Sequence, residues 1–374
     1  MVQLDATFRY SFVDGAFVEI LGGDSSTVYR AEFVDAATGE VIHRDCVATN
    51  HWVRTARKYF VNWQINVYRE PAGELVFTHR YACRGRRVYI AFESKALGDT
   101  LAWFPAVEAF QQVHGCRLIC STFHNGLFRD AHPSIEFVEP GATVHNLYAT
   151  YGVGWFRHGD DTLDLDRNVG DVLAQPLGAS ASDILGVAYE ERRPRLGVVP
   201  VSRPSRPPYV CIGVHATAQA KYWNNPDGWP ELVRFLMDRG YEVRLLSREG
   251  VHYMGNWAPD GVVPVAPGSI EQVVRQLHHA ALFIGVGSGL SWLAWAAGCP
   301  TCVISGFSLP YSEMTDCIRI VPSPGVCSGC FNRSRLDPDD WNWCPDHAGT
   351  TRQFECTRAI SSAQVIEAIS PYLD

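Results

Sequence analysis

Between residues 6 and 82 apolar and polar side chains alternate in short runs: ATFRYSFV, AFVEIL, VYRAEFVD, EVIHRDCV, YFVNWQINVYRE and LVFTHRYA. They are separated by the turn signals VDG, GGDSS, DAATGE and EPAGE. A period of two over some six short segments predicts hairpins that close into a small barrel or sandwich over residues 1–86. Such a module suits packing, assembly or recognition, with its exposed aromatics as contact candidates.

From residue 88 the pattern changes to continuous apolar runs separated by helical periodicity. VYIAFES reads as a buried strand, LAWFPAVEAFQQVHG as a helix and RLICSTF as the next strand, with SIEFVEPG after a turn. Strand, helix, strand at this spacing predicts a right-handed parallel unit. The five prolines of RPRLGVVPVSRPSRPPY then mark a linker. Beyond it the alternation restarts with VCIGVHAT, WPELVRFLMDRG, EVRLLS, SIEQVVRQLHHA, ALFIGVG, LSWLAWAAG and PTCVIS. The expected architecture is α/β. Two doubly wound Rossmann-like domains (87–206 and 207–325) follow the all-β module, and a four-cysteine segment (326–357) and a C-terminal helix (358–374) follow them. The carboxyl ends of both sheets should face one cleft, where ligands of such sheets bind.

Composition narrows the class. With 374 residues, 47% hydrophobic and 19% charged, the chain can bury several cores. Its start lacks a cationic flank and apolar core of a signal peptide, and no apolar run reaches the about 18 residues of a membrane span. A cytoplasmic protein with no membrane span is expected. The net charge of −8 disfavours a nucleic-acid partner, which calls for a basic face. Of the twelve cysteines, Cys211, Cys299 and Cys302 sit in apolar strands or beside a turn and read as small buried hydrophobes.

Three loops carry candidate chemistry. In SKALGDT, Gly98 permits a tight turn and Asp99 stands where the helix starts. An N-cap role accounts for an aspartate there, and a carboxylate at a strand's carboxyl end also suits a general base toward a hydroxyl. In GVHATAQAKYWNNPDGW, Lys221 follows a strand end bearing Thr217 and Gln219. A loop lysine is ordinarily solvated; here its ammonium can instead face the cleft and offset phosphate charge. In GVGSGLSWLAWAAGCP, Gly287, Ser288, Gly289, Leu290 and Ser291 precede an apolar helix, and their backbone N–H groups would bind a diphosphate. Gly285, Gly287 and Gly289 spell GxGxG. That matches neither the P-loop nor the GxGxxG fingerprint, so nucleotide hydrolysis and hydride transfer are disfavoured.

The segment VCSGCFNRSRLDPDDWNWCPDHAGTTRQFEC places Cys327, Cys330, Cys344 and Cys356 within 31 residues. Beginning with CxxC in a reducing compartment, the four favour a tetrahedral thiolate site over disulfides. Few aliphatic side chains (Val326, Leu336, Ala348) lie between them, so the segment lacks a core of its own and needs a staple. All-sulfur sites suit zinc or a single iron, with zinc the general default. A closed shell implies a structural ion and leaves His347 outside it, and the segment reads as an appendage remote from the chemistry.

VHATAQAKYWNNPDGWPELV and FIGVGSGLSWLAWAAGCPTCVISG resemble the C-terminal half of bacterial heptosyltransferases, although Gly287-Ser288-Gly289 stands where those enzymes carry Asp-Ser-Gly. With the β-rich start, SKALGDTLAW and the four-cysteine segment, the whole chain resembles the autotransporter heptosyltransferases. The resemblance implies a GT-B fold and transfer of D-glycero-β-D-manno-heptose from ADP-heptose to serine hydroxyls of an autotransporter adhesin passenger. It also implies Asp99 as base, Lys221 at the donor diphosphate, iron (Fe3+) in the cysteine finger and a homo-oligomer, a dodecamer. A lipopolysaccharide-core heptosyltransferase is disfavoured by the β module and the cysteine segment, and an assembly scaffold without activity by the joint presence of Asp99 and Lys221.

Overall fold

The computed structural model describes residues 6–22, 24–59, 61–198, 208–249, 252–265 and 268–373. The first part forms two antiparallel sheets. β1 (Ala6–Ser11), β2 (Phe17–Gly22) and β5 (His51–Arg54) make one; β3 (Val28–Asp35), β4 (Val41–Ala48), β6 (Trp63–Arg69) and β7 (Glu74–Arg80) make the other. Their inner faces meet through aromatics: Phe8 stacks on Phe77 at 5.0 Å, and Tyr10 lies 3.9 Å from His79. The result is a sandwich with one strand more than the pattern suggested. β5 escaped detection because its four residues, His-Trp-Val-Arg, bury only Val53, too short a run for alternation to register.

The sandwich does not stand alone. At the end of β1, Phe12 bridges Ala149, donating to Tyr148 O (2.9 Å) and accepting from Thr150 N (3.2 Å). This splices the module to the edge of the next sheet, in which β8 (Arg87–Phe92), β9 (Arg117–Ser121), β10 (Glu136–Phe137) and β11 (Ala149–Val153) run parallel in the order β10-β9-β8-β11. One hydrophobic core runs through both units. Across this sheet lie α1 (Leu97–His114) and α2 (Leu177–Leu185), joined by the Trp103 indole bonded to Leu177 O at 3.0 Å.

The second lobe holds a six-stranded parallel sheet, β16-β13-β12-β17-β18-β19. Its strands are β12 (Tyr209–Gly213), β13 (Glu242–Leu246), β16 (Val263–Val265), β17 (Leu282–Val286), β18 (Thr301–Ile304) and β19 (Ile318–Ile320). A small hairpin of β14 (His252–Tyr253) and β15 (Asn256–Trp257) stands apart. The helices are α3 (Gly228–Asp238), α4 (Ile270–His279) and α5 (Gly289–Ala296). A capping box from Ser269 and Gln272 starts α4. The four-residue α6 (Glu355–Arg358) carries Cys356, and α7 (Ser362–Ile369) buries Val365 and Ile369 in the second-lobe core.

The lobes meet helix start to helix start. A Cβ on Gly98 would lie 3.0 Å from the Trp292 ring and 3.5 Å from Gly289 Cα, and one on Gly289 would lie 3.0 Å from Gly98 N. Gly98 is therefore a point of close approach inside α1 and not the turn glycine the loop pattern suggested. Of the proline-rich linker, 199–207 lie outside the described residues. The segment before it ties the lobes: Arg193 pairs with Asp316 at 2.7 Å, and Glu191 accepts from Thr315 N at 2.8 Å. No helix among the described residues is long and apolar enough to cross a membrane.

Candidate functional site

Between the lobes opens a cleft of about 1160 Å³ to which both contribute. From the first lobe, Asp99 occupies the first turn of α1. The helix begins after Ala96, which offers no side-chain cap, so the N-cap role does not fall to Asp99. Instead its Oδ2 accepts from Ser94 Oγ at 2.6 Å. Burial raises the Asp99 carboxyl above the ordinary aspartate value, and the Ser94 bond and the Lys221 charge offset part of that rise.

Lys221 closes a single 3₁₀ turn, Gln219–Lys221, after β12. Its ammonium donates to Thr217 Oγ1 at 3.3 Å and lies 5.1 Å from the Phe307 ring centre. The half-buried lysine turns into the cleft: burial lowers its pKa, and Glu313 and Asp99 pull the other way. A carboxylate from one lobe and an ammonium from the other thus act on each other across the gap. At the cleft floor lie Gly287, Ser288, Gly289 and Leu290, at the start of α5. Among the described residues the buried Ser288 Oγ has no hydrogen-bond partner.

The far end is formed by the strand ends of the second lobe. Leu246, Val265, Ile270 and Val273 make an apolar slot, with Ser247, Arg248, Glu249 and Tyr253 beside it. His215 borders this end, its Nδ1 2.6 Å from Ser247 Oγ and its buried Nε2 without a hydrogen-bond partner among the described residues. Burial lowers the His215 pKa, with Glu249 opposing, so its neutral form is favoured.

The four-cysteine segment lies against this cleft. Gly329 N donates to Gly306 O (2.9 Å) and Phe331 N to Phe307 O (3.1 Å), lacing it to the chain after β18. Gly306 has no room for a side chain, because the Cys356 backbone takes that space. Trp341 grips the lysine turn from outside: Gln219 N donates to Trp341 O (3.0 Å), and the indole donates to Gln219 Oε1 (3.2 Å). Asn332 Nδ2 crosses to Leu173 O of the first lobe at 2.8 Å, and Arg335 pairs with Asp161 there. Phe331, Arg335 and Leu336 line the cleft itself.

The segment also has more core than its aliphatic content suggests. Cys330 and Trp343 pack with Ala220 and Phe307 of the second lobe, against Phe331, Leu336 and Phe354. The missing aliphatics are replaced by aromatics and by borrowed surface. Far from being remote, the segment is one wall of the site.

Of its four thiols, Cys327 and Cys330 fall in groups of side chains that could hold a metal. Cys327 Sγ, Cys330 Sγ and an Asp346 oxygen lie within 4.8 Å of one another, as do ligand atoms of Cys327, His347 and Glu355. Cys356 lies near enough to Cys327, Cys330 and Cys344 to feel their charge, and burial with these neighbours pushes its thiol, like that of Cys330, up to about 12. Arg333 donates to Cys330 Sγ at 3.4 Å and to Asp346 Oδ2 at 2.5 Å. Buried sulfurs that resist ionising beside one another fit a thiophilic cation, whose charge would offset that repulsion. His347, expected outside the shell, lies at its edge, 3.9 Å from Glu355.

Comparison with known proteins places this architecture. A model of glycosyltransferase family 9 (heptosyltransferase) matches residues 171–312, and one of the TibC glycosyltransferase N-terminal domain matches 6–71. The chain is 40% identical to autotransporter heptosyltransferase BAHTCr of Citrobacter rodentium, over 96% of this chain and 88% of that one. It is 38% identical to autotransporter heptosyltransferase TibC of Escherichia coli O78:H11, over 95% and 87%. The chain belongs to the autotransporter heptosyltransferase family. A crystal structure of TibC, described as a dodecameric iron-containing heptosyltransferase in complex with ADP-D-beta-D-heptose, superposes with a TM-score of 0.88 at 36% identity, over 98% of this chain and 95% of that one. A further relative, BimC of Burkholderia thailandensis, is 36% identical over 96% of this chain and 85% of its own and is described as an inactive autotransporter heptosyltransferase.

This heptosyltransferase family member is a glycosyltransferase of GT-B type with an added N-terminal domain. Of the residues expected at the site, Asp99, Lys221, Thr217, Gly287, Ser288, Gly289 and Leu290 line one cleft. Two do not. The Gln219 amide is spent on Asn224 (2.7 Å), Asn256 and Trp341, so it braces the loop and is not offered to a substrate. Ser291 is buried, its hydroxyl on Val286 O at 2.6 Å and its N–H on Ser288 O. Ser291 is the third residue of α5, and its N–H is already taken by the carbonyl of the N-cap residue Ser288 at 3.1 Å.

Sequence reasoning missed His215, Glu249 and Glu313. The signal for the first was available, because His215 lies in the same strand-end loop as Lys221. Glu313 follows a short 3₁₀ turn far from any motif, and only the fold brings it to Gly287.

Proposed function

We propose that this protein transfers heptose from ADP-D-glycero-β-D-manno-heptose to serine hydroxyls of an autotransporter adhesin passenger, in the cytoplasm before export. The observation that carries the reading is that Asp99 from one lobe, Lys221 from the other and the N-terminus of α5 line one cleft between the lobes. Asp99 takes the serine proton as the oxygen attacks the anomeric carbon. The bond from that carbon to the phosphate oxygen breaks, and ADP departs from the opposite face, inverting the centre. Lys221 and the start of α5 offset the growing charge on ADP without a metal. The apolar slot of Leu246, Val265, Ile270 and Val273 suits a purine.

Cys327, Cys330, Cys344 and Cys356 would hold one iron, zinc being the alternative, and the ion would keep the finger folded against the Lys221 turn. A dodecamer follows by analogy with TibC. An adhesin passenger coexpressed with the protein should gain heptose masses on serine in peptide mass spectrometry. An unmodified passenger beside an intact oligomer would instead favour the scaffold reading; the relative BimC is described as inactive.

Lys221→Gln is expected to lower kcat by about 10²–10³-fold, the scale of losing one preorganised charge at a leaving group. Its pH dependence is also set. The rate falls on the alkaline side as Lys221 loses its proton, and because burial lowers that pKa, the limb lies below the ordinary lysine range. Steady-state rates across pH check both.

A further inference from the structure

Glu313 is a half-buried carboxylate for which the mechanism above has no use. Its side chain is 12% exposed, and Oε2 accepts from Arg319 Nη1 at 2.5 Å. Among the described residues no hydrogen bond reaches Oε1. That free oxygen is aimed at the diphosphate floor: a Cβ on Gly287 would lie 2.6 Å from it, so the carboxylate fills the space a side chain at 287 would need. Glu313 lines the cleft with Ser288 and Lys221, and its charge acts on the Lys221 ammonium.

A carboxylate repels phosphate, so Glu313 cannot belong to the anion cradle it abuts. Arg319 and Lys221 on either side compensate its charge and leave the oxygen free to accept from hydroxyls. In a nucleotide-sugar the group one bond beyond the diphosphate is the sugar ring. Resting on the donor reading given above, we propose that Glu313 is a specificity residue for the donor, its Oε1 accepting from hydroxyls of the transferred sugar. The Gly287-Ser288-Gly289 turn and Glu313 then form one device: the missing side chain at 287 makes room for a carboxylate delivered from residue 313.

Calorimetric titration of the whole oligomer with ADP and with ADP-D-glycero-β-D-manno-heptose tests this on Glu313→Gln and Glu313→Asp. Glu313→Gln removes the charge at constant shape; Glu313→Asp keeps the charge and withdraws it by one methylene. Both are expected to weaken ADP-heptose about 10- to 100-fold, the scale of a charge-assisted hydrogen bond, and to leave ADP within about twofold of wild type. Retained ADP affinity also shows that the site is still folded.

If Glu313 served only to keep Lys221 protonated, Glu313→Gln would weaken both ligands alike and Glu313→Asp neither, and the proposal would be overturned. Failure of the donor reading looks different. Wild-type protein would then bind neither ADP nor ADP-heptose, and the role of Glu313 would fall with it.

Discussion

Asp99→Asn is expected to lower turnover by about 10²–10⁴-fold, the range of a lost general base, while ADP-heptose affinity stays within about threefold. The substitution preserves shape and the acceptor for Ser94 Oγ, so α1 and its contact with Gly289 should persist. The acid limb of the wild-type rate profile supplies the second readout. A base works only when deprotonated, so the rate falls as pH drops through its pKa, and burial sets that value above the ordinary aspartate one. A bound diphosphate adds negative charge nearby and moves the limb higher still. Asp99→Asn should abolish that limb along with the rate. Single-turnover kinetics with a passenger peptide decide the matter: normal transfer by the variant would sink the base assignment.

The second large effect concerns the finger. Cys330→Ser is expected to cost metal, assembly and activity together, because Cys330 packs on Ala220 and Phe307 beside Lys221. Phe331→Ala separates these consequences. It leaves all four cysteines in place but removes a ring that faces the cleft between Trp155 (5.8 Å) and Phe307 (5.4 Å). Metal content by elemental analysis and mass by sedimentation should match wild type. Turnover should fall roughly tenfold, the scale at which small displacements of a positioned substrate tell. Full activity in Phe331→Ala with metal and mass unchanged would return the finger to the role of a remote appendage.

These two expectations differ in how far the residues alone could lead to them. The alternating and continuous apolar runs located the β module and the main parallel strands because both signals are local: burial on one face or on two leaves its period in the chain. Asp99, Lys221 and the glycine turn were also legible, since each occupies a loop directly after a strand, and strand ends in parallel sheets face the ligand. The spacing singled out four cysteines, of which the structure brings Cys327 and Cys330 together with Asp346.

Elements that bury little or pair only across long distances were not legible. β5 shows a single buried side chain, and β19, Ile-Arg-Ile, is too short to show a period. Gln219 and Ser291 sat at the right places in the motifs but pointed into the protein. Which way a side chain turns depends on partners such as Trp341 and Val286, which no local pattern contains.

The residues themselves therefore gave away the order of units and the strand-end loops, because these depend on neighbours within a few positions. Only the tertiary structure decided that the finger is a wall of the cleft and that Gly98 meets Gly289 across the lobes. It also decided that the space beside Gly287 belongs to Glu313. Each of those facts joins segments far apart in the chain. Such contacts form only when separate cores are packed together, and the glycines and polar groups that permit them look, in sequence, like any others.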